Sequence, residues 1–473
     1  MKANYFVWLA ALLFYTVSCG GSSGGNGSRN SDIDTSIMAD NSPSDSIVPG
    51  KLVAHVVCQG DASQSYAVYI PQHGATEKLP VIYFFDPHGD GSLPLEKYAA
   101  LAETQHIILV GSNNSKNGNE WSMTETIWNT LTDDTKRRLP IDTSRVYAGG
   151  FSGGAKVAIY AGLNHHDVKG VIANGAAIAD VATAPGVSFT FTAIAGRGDM
   201  NMTDLVSLNT ALDKTPVKHR IIYFDGIHEW APENAMRIAF YGLQLDAMIN
   251  KTLPLNQPLI MDVADSMKLR VQSALATNNY VVARENCVLS VDIMDGLSSA
   301  VDWFKTEDAA IGGNPAYQKQ EQAAEELLKT EQDIKTVFNQ ELQAGDKTYW
   351  MKAIKDVQNK AHAKSAAGAM YQRLEAYLSL AFYSISNQLI NGNKNSDAGY
   401  FVDLYKIADP TNSEAWYFSA VLDARSQNAK ATEEDLIKAV SYGFEDKKRL
   451  LQQPEFQQLD AQINLTAIAA KMK

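Results

Sequence analysis

The sequence has few cysteines: Cys19, Cys58 and Cys287 are the three among 473 residues. Three cysteines cannot supply the paired bonds of a disulfide-stabilised fold. No cluster of cysteine and histidine has the spacing that metal ligands require. We therefore expect a fold held by its hydrophobic core, with no metal and no cofactor.

Positive charge is also scarce. The 41 lysines and arginines are outnumbered by 53 aspartates and glutamates, which gives a formal net charge of −12. Binding to a nucleic-acid backbone needs concentrated positive charge, and no basic run or basic stretch with interleaved aromatic residues stands out. The composition therefore argues against a nucleic-acid partner.

Beyond the N-terminus, no apolar run is long enough to cross a membrane. The N-terminus itself has Lys2 and then the short apolar stretch 5–15, which is typical of a targeting segment rather than a span. The small residues that precede Cys19 resemble the lipobox of bacterial lipoproteins. That resemblance implies cleavage before Cys19 and acylation of this cysteine, so that residues 1–19 form the signal and lipidation site. A plain secretory signal with an incidental cysteine is the alternative.

Residues 20–50 are rich in Gly, Ser, Asn and Asp and have almost nothing to bury. This composition predicts a flexible tether. A lipid anchor followed by a tether would place the protein in the cell envelope, at the periplasmic face or the outer surface. Its contact with the membrane would then be through the anchor only.

The remaining length is too great for one ordinary core, so we expect two domains, 51–250 and 251–473. In the first, two apolar runs joined by a Gly-Asp turn predict a hairpin, and buried strands then alternate with helices. This order predicts an α/β fold: a doubly wound, mostly parallel sheet with helices on both faces. The predicted strands are 52–57, 66–70, 80–85, 107–110, 145–149, 170–174, 189–195 and 220–224.

The second domain is helical in period almost throughout, which predicts an all-α domain built from helical repeats. The segment Ala408–Trp416 resembles the turn between tetratricopeptide units, and the resemblance extends over about 400–460. It implies a surface that binds a protein partner. A plain helical bundle is the alternative.

The stretch Gly150–Gly154, with the sequence G-F-S-G-G, lies between a predicted strand and a predicted helix. This context is typical of a nucleophile elbow, in which a sharp turn presents a serine. Glycines flank Ser152 because side chains there would collide in so tight a turn. The helix that follows would direct its N-terminal N–H groups at a developing oxyanion. Ser152 is therefore the candidate nucleophile.

A nucleophilic serine needs a base, and the base needs an acid that orients it. Among nine histidines, His228 alone lies just after the last strand and beyond the serine in sequence. Asp199 follows the preceding strand in a Gly-rich turn, and Asp180 is the alternative acid. Catalytic groups in such sheets occupy loops at the carboxyl ends of strands. We therefore expect Ser152, Asp199 and His228 to act together.

These motifs, with the H-G-D-G loop that starts at His88, resemble those of α/β-hydrolase fold serine esterases over about 52–250. The similarity is strongest to secreted polyhydroxybutyrate depolymerases, feruloyl esterases and acetyl esterases. It implies a carboxylic ester hydrolase that works through an acyl-enzyme. The resemblance also implies an oxyanion hole formed by Gly153 and by a donor from the loop, for which His88, Gly89 and Asp90 are the candidates.

Four residues are expected to flank the site and to contact substrate: Asn113, Asn114, Trp121 and Trp230. Amides bind hydroxyl groups and flat rings stack on sugars, so an acylated carbohydrate is one expected substrate and another small ester is the alternative. Packing of both tryptophans in the core or at its rim, without contact to a sugar, is the alternative. Two other functions stay open: an interaction protein whose hydrolase domain is a scaffold, and a serine peptidase.

Overall fold

The computed structural model describes residues 47–72, 77–184, 186–344 and 346–472. These residues form two compact units, one of residues up to 197 with 201–322 and one of residues 198–200 with 323–472. Cys19 and most of the 20–50 segment lie outside the described residues. The lipidation site and the tether therefore stay predictions.

A single sheet of eight strands organises the described part of the first unit, in the order β1-β2-β4-β3-β5-β6-β7-β8. The first two strands run antiparallel, and all pairs from β4 to β8 are parallel. This confirms the predicted antiparallel start and mostly parallel sheet. The strands are β1 (Leu52–Val57), β2 (Ser65–Tyr69), β3 (Leu79–Phe85), β4 (Ile108–Ser112), β5 (Ile141–Phe151), β6 (Val168–Asn174), β7 (Thr190–Gly196) and β8 (His219–Phe224).

Both faces of this sheet are covered. Side chains alternate along a strand, and in β3 Ile82 and Phe84 belong to one apolar core while Val81, Tyr83 and Phe85 belong to another. This is why β3 is apolar without interruption, as expected of a strand buried on both sides. The helices between the strands are α1 (Ser92–Gln105), α2 (Trp121–Arg138), α3 (Gly153–Asn164) and α4 (Met202–Leu212), and α5 (Glu233–Ile249) follows the last strand.

Three further helices belong to the first unit: α6 (Gln257–Ala276), α7 (Tyr280–Met294) and α8 (Val301–Gly312). Their buried residues, such as Val263, Cys287 and Phe304, share one apolar core with Phe84 and Phe240. Their helical period predicts instead that these helices belong to the second domain, 251–473. An amphipathic stripe identifies the face that is buried but not the element that covers it.

The second unit is helical in all its described elements. Trp350 is fully buried and packs between Phe338 and Phe382. The turn that resembles a tetratricopeptide connection precedes a helix, whose first turn Asn412 caps by accepting a hydrogen bond from the N–H of Glu414. The helices are α9 (Pro315–Ala344), which contains the boundary between the units, α10 (Lys347–Ala361), α11 (Ala366–Asn391), α12 (Asn395–Ala408), α13 (Ser413–Arg425), α14 (Ala429–Ser441), α15 (Lys447–Gln452), α16 (Pro454–Gln457) and α17 (Leu465–Ala469).

The helical character of this part of the chain is confirmed. Its description as a set of repeats stays a prediction. None of the helices in the described ranges combines the length and the apolarity needed to cross a bilayer.

Candidate active site

Ser152 occupies a strained turn between β5 and α3, with φ of 53° and ψ of −120°. Residues with side chains rarely adopt this region, and it costs about 1–3 kcal/mol. A Cβ on Gly150 would lie 2.2 Å from the carbonyl oxygen of Gly154, and one on Gly154 would lie 1.8 Å from that of Phe85. The two flanking glycines are therefore required by close backbone approach, and Ser152 stays half-buried at the end of its strand.

His228 lies beside this serine although the two are 76 positions apart in sequence. Its Nε2 is 3.0 Å from the Oγ of Ser152, within the range at which a general base takes a proton. The ring of Phe151 packs against the imidazole with the ring centroids 4.6 Å apart. The imidazole of His228 can therefore activate the hydroxyl of Ser152.

Asn174, at the end of β6, helps to position both Ser152 and the loop of His228. Its backbone carbonyl accepts a hydrogen bond of 2.9 Å from the N–H of Ser152. Its side-chain Oδ1 accepts one of 2.7 Å from the N–H of Ala231, three residues beyond His228. Asn174 is fully buried. No sequence motif marks this residue, although a polar residue that ends a buried strand beside the elbow is a signal for such a role.

The segment after His228 is also tied to the loop after β3. The indole Nε1 of Trp230 donates a hydrogen bond of 2.9 Å to Oδ2 of Asp86, and Tyr98 donates its hydroxyl to the carbonyl of Ala231. Burial alone would raise the pKa of Asp86, but the hydrogen bonds from His88 and Trp230 outweigh it and lower the pKa. Asp86 therefore stays a carboxylate that joins the two loops.

Trp230 is buried and packs among aromatic rings. Such a position anchors the loop of His228 and leaves little indole surface exposed, and the expected contact of Trp230 with substrate stays a prediction. His88 is largely exposed, and its backbone N–H donates to the carboxylate of Asp86.

The turn between β7 and α4 carries Asp199, which is fully buried. The alternative acid, Asp180, is exposed in a short 3-10 turn. Burial in a fixed place is what an orienting acid needs, and this difference favours Asp199. Residues on both sides of the turn are fixed, because Arg197 donates its N–H to the carbonyl of Phe224 and Asn201 donates its amide to that of Gly175.

Arg197 further joins this turn to neighbouring elements. Its guanidinium pairs with Glu285 on α7 and lies 3.6 Å from Asp225 in the loop that leads to His228. Burial would lower the pKa of Arg197, but Glu285 and Asp225 outweigh that effect and raise it. Arg197 therefore stays charged and connects the loops after β7 and β8.

The backbone N–H groups of the His88–Gly91 loop can be accounted for one by one. His88 and Gly89 donate theirs to Asp86, and Gly91 donates to Oδ1 of Asn113. The N–H of Asp90 has no acceptor among the described residues, while its carboxylate caps the start of α1 by accepting from Ser92. Gly153 is the first residue of α3, and its N–H has no partner within the helix. Of the predicted oxyanion donors, Gly153 and Asp90 have a backbone N–H left to give.

The asparagines expected to bind substrate make structural contacts, and their substrate role stays a prediction. Asn113 donates its amide to the carbonyl of Ala54, and Asn114 donates to that of Ser63 and accepts from the N–H of Ser65. Both side chains hold the loop after β4 in place. Trp121 is 47% exposed and stacks on Tyr160 with the centroids 4.8 Å apart.

Other nucleophiles and metal ligands are poorly placed in the described ranges. Cys58 and Cys287 are buried free thiols, and burial raises the pKa of Cys58 to about 11 and that of Cys287 to about 12. A buried thiol with so high a pKa is not a reactive thiolate. No group of three or more His, Cys, Asp or Glu side chains in those ranges could hold a metal ion.

No protein-family model matches the sequence, and no curated protein matches it in sequence. Solved structures overlap with part of the chain. An S-formylglutathione hydrolase from Staphylococcus aureus is 11% identical over 42% of this chain and 99% of its own, with a TM-score of 0.36. An esterase from Rhizomucor miehei is 11% identical over 42% and 84%, with a TM-score of 0.34. A ferulic acid esterase is 18% identical over 40% and 95%, with a TM-score of 0.31.

The class of fold follows from the molecule itself. A mostly parallel sheet carries a serine at a strained strand-to-helix turn, and a histidine that follows the last strand reaches its hydroxyl. These features are those of the hydrolase-like α/β fold. The first unit has this fold.

Proposed function

We propose that this protein is a serine hydrolase that cleaves carboxylic esters, with an acylated carbohydrate or another small ester as substrate. The observation that carries the proposal is the 3.0 Å distance from Nε2 of His228 to Oγ of Ser152, at a serine held in a strained elbow. A structural serine has no need of that backbone conformation, which costs free energy. The exposed indole of Trp121 favours a substrate with a flat sugar face.

The reaction begins when Oγ of Ser152 attacks the ester carbonyl carbon and His228 takes the hydroxyl proton. The N–H groups of Gly153 and Asp90 hold the resulting oxyanion, and each such donor contributes about 3–4 kcal/mol in comparable sites. His228 then gives its proton to the departing alcohol, and the acyl group stays on Ser152. Water, deprotonated by the same imidazole, releases the acid and restores the serine.

Asp199 is the acid in this proposal, and it keeps the imidazole in the required orientation. Its support is its complete burial and its position three residues after β7, the neighbour of the strand that precedes His228. The chain order Ser152, Asp199, His228 is that of the α/β-hydrolase triad.

The test is substitution of the nucleophile. Ser152→Ala should abolish hydrolysis of p-nitrophenyl acetate and labelling by a fluorophosphonate probe, because it removes the hydroxyl that forms the acyl-enzyme. Ser207→Ala is the matched control, since Ser207 is exposed on α4 and bonds only within its helix. It should keep full activity. Full activity of Ser152→Ala would refute the assignment.

Other outcomes separate the alternatives. Folded wild-type protein that neither reacts with the probe nor cleaves any ester would favour an interaction protein with a scaffold hydrolase unit. A panel of acetylated sugars, simple alkyl esters and short peptide amides separates the esterase from a peptidase. Preference for the peptide amides would overturn the esterase proposal, and preference for the acetylated sugars would support the carbohydrate substrate.

A further inference from the structure

The loop between β4 and α2 is held rigidly by its own polar residues. The Oγ of Ser112 accepts hydrogen bonds from the N–H groups of Asn114 and Ser115, and Asn119 donates its amide to the carbonyl of Asn114. The N–H of Asn117 donates a bond of 2.8 Å to the carbonyl of Pro87, which fixes this loop to the one after β3. The backbone of Asn117 is therefore held in one place.

The side chain of Asn117 lies against the residue that follows the nucleophile. A Cβ on Gly153 would lie 1.8 Å from Oδ1 of Asn117 and 3.5 Å from its Nδ2. The carboxamide thus occupies the space that any side chain at position 153 would need. Glycine at this position is what allows it to approach.

This carboxamide is exposed, and neither its oxygen nor its nitrogen has a hydrogen-bond partner among the described residues. The contrast with its neighbours is marked, since the amides of Asn113, Asn114 and Asn119 all donate to acceptors in the fold. A rigid loop therefore presents one free carboxamide beside Gly153, whose backbone N–H is one of the two proposed oxyanion donors.

We propose that Asn117 is a third oxyanion donor, whose Nδ2–H group bonds to the oxygen that becomes negative when Ser152 attacks. The inference rests on the proposed hydrolase function and adds a catalytic residue to it. Asparagine side chains can fill this role, and their donors act mainly on the transition state. The loss on removing the donor should therefore fall on kcat rather than on KM.

Two substitutions test the donor. Asn117→Ala and Asn117→Asp should each lower kcat for p-nitrophenyl acetate by about 10- to 100-fold, with KM changed less than about threefold. The aspartate keeps the shape but replaces the N–H donor with a second oxygen and a negative charge near the oxyanion, so its loss should be at least as large as that of the alanine variant. Lys116→Ala, at the exposed neighbouring position, is the control and should keep wild-type kcat.

A double-mutant cycle tests the contact with Gly153. Gly153→Ala keeps the backbone donor but places a methyl group where the carboxamide lies, so it should lower kcat as Asn117→Ala does. The double variant should be no slower than either single variant, because both remove the same interaction. Circular dichroism confirms that each variant is folded.

The outcomes distinguish this inference from the function on which it rests. If Ser152 reacts with the probe but Asn117→Ala or Asn117→Asp keeps kcat within twofold of wild type, Asn117 is not a donor and the hydrolase stands. Additive losses in the double variant would likewise overturn the donor role. If the wild-type protein neither hydrolyses the ester nor reacts with the probe, both proposals fall.

Discussion

At the scale of single residues, one buried asparagine sets the geometry of the site. Asn174 accepts the N–H of Ser152 with its backbone and the N–H of Ala231 with its side chain. One residue at the end of β6 thus positions both the nucleophile and the loop that carries the base. A small displacement of Asn174 would therefore move both Ser152 and the loop of His228.

Asn174→Ala removes the acceptor of the Ala231 N–H and leaves that donor buried. We expect a loss of about 1–3 kcal/mol in the free energy of unfolding, with a lower kcat because the loop of His228 is less well fixed. Urea denaturation and ester kinetics measure the two effects. Asn129→Ala, at an exposed asparagine on α2, is the control and should change neither. Unchanged kcat in a destabilised Asn174→Ala would limit this residue to a role in folding.

Some residues of the site could be found from sequence and others could not. Ser152 and His228 were predictable because a motif and the order of strands place both at the carboxyl edge of the sheet. Asn117 and Asn174 carry no motif, and their contacts arise when distant loops pack together. The amides of Asn113 and Asn114 bond within the fold, and their expected contact with substrate stays a prediction.

At the scale of elements, the elbow depends on close packing of β3, β5 and α3. The carbonyl of Phe85 lies so near Gly154 that a Cβ there would be 1.8 Å away. Because a backbone atom cannot rotate aside, the strand and helix would have to separate. Gly154 therefore allows α3 to pack closely against β3.

Gly154→Ala should accordingly lower the free energy of unfolding by about 1–3 kcal/mol or more, as overpacking does, and slow the esterase. Gly399→Ala is the matched control, since nothing lies within 4 Å of its Cβ position in α12. Alanine in that helix should be neutral or stabilising by about 0.5–1 kcal/mol. Chemical denaturation compares them, and equal effects of the two substitutions would contradict the packing argument.

The central strands of the sheet, such as β3, were predictable because continuous apolar runs mark strands buried on both faces. β5 extends to Ile141–Phe151, beyond the predicted 145–149, because its first residue pairs with Leu79 of β3. Pairing depends on the partner strand and leaves no pattern within the strand itself. The same limit applies to α6–α8, whose apolar stripes do not reveal that they share a core with the sheet.

At the scale of the whole molecule, the remaining proposal concerns its location. We propose that Cys19 is acylated and that residues 20–50 tether the folded part to a membrane of the cell envelope. The support is the run of small residues before Cys19 and the polar composition that follows. Both lie mainly outside the described residues.

Cys19→Ala should move the protein from the detergent phase to the aqueous phase in Triton X-114 partition and should abolish incorporation of labelled palmitate. Cys58→Ala is the control, because that thiol is buried in the core and should not be acylated. Wild-type protein that stays in the aqueous phase without palmitate would reject the anchor and favour a plain secretory signal.

The backbone of Ser152 has a consequence for engineering. Because its φ is positive, glycine at this position should make the fold more stable, although the nucleophile would then be lost. Stability and catalytic activity therefore favour different residues at this position. A laboratory that screened variants for heat resistance alone would tend to discard the nucleophile, so any such campaign should score the reaction at every round.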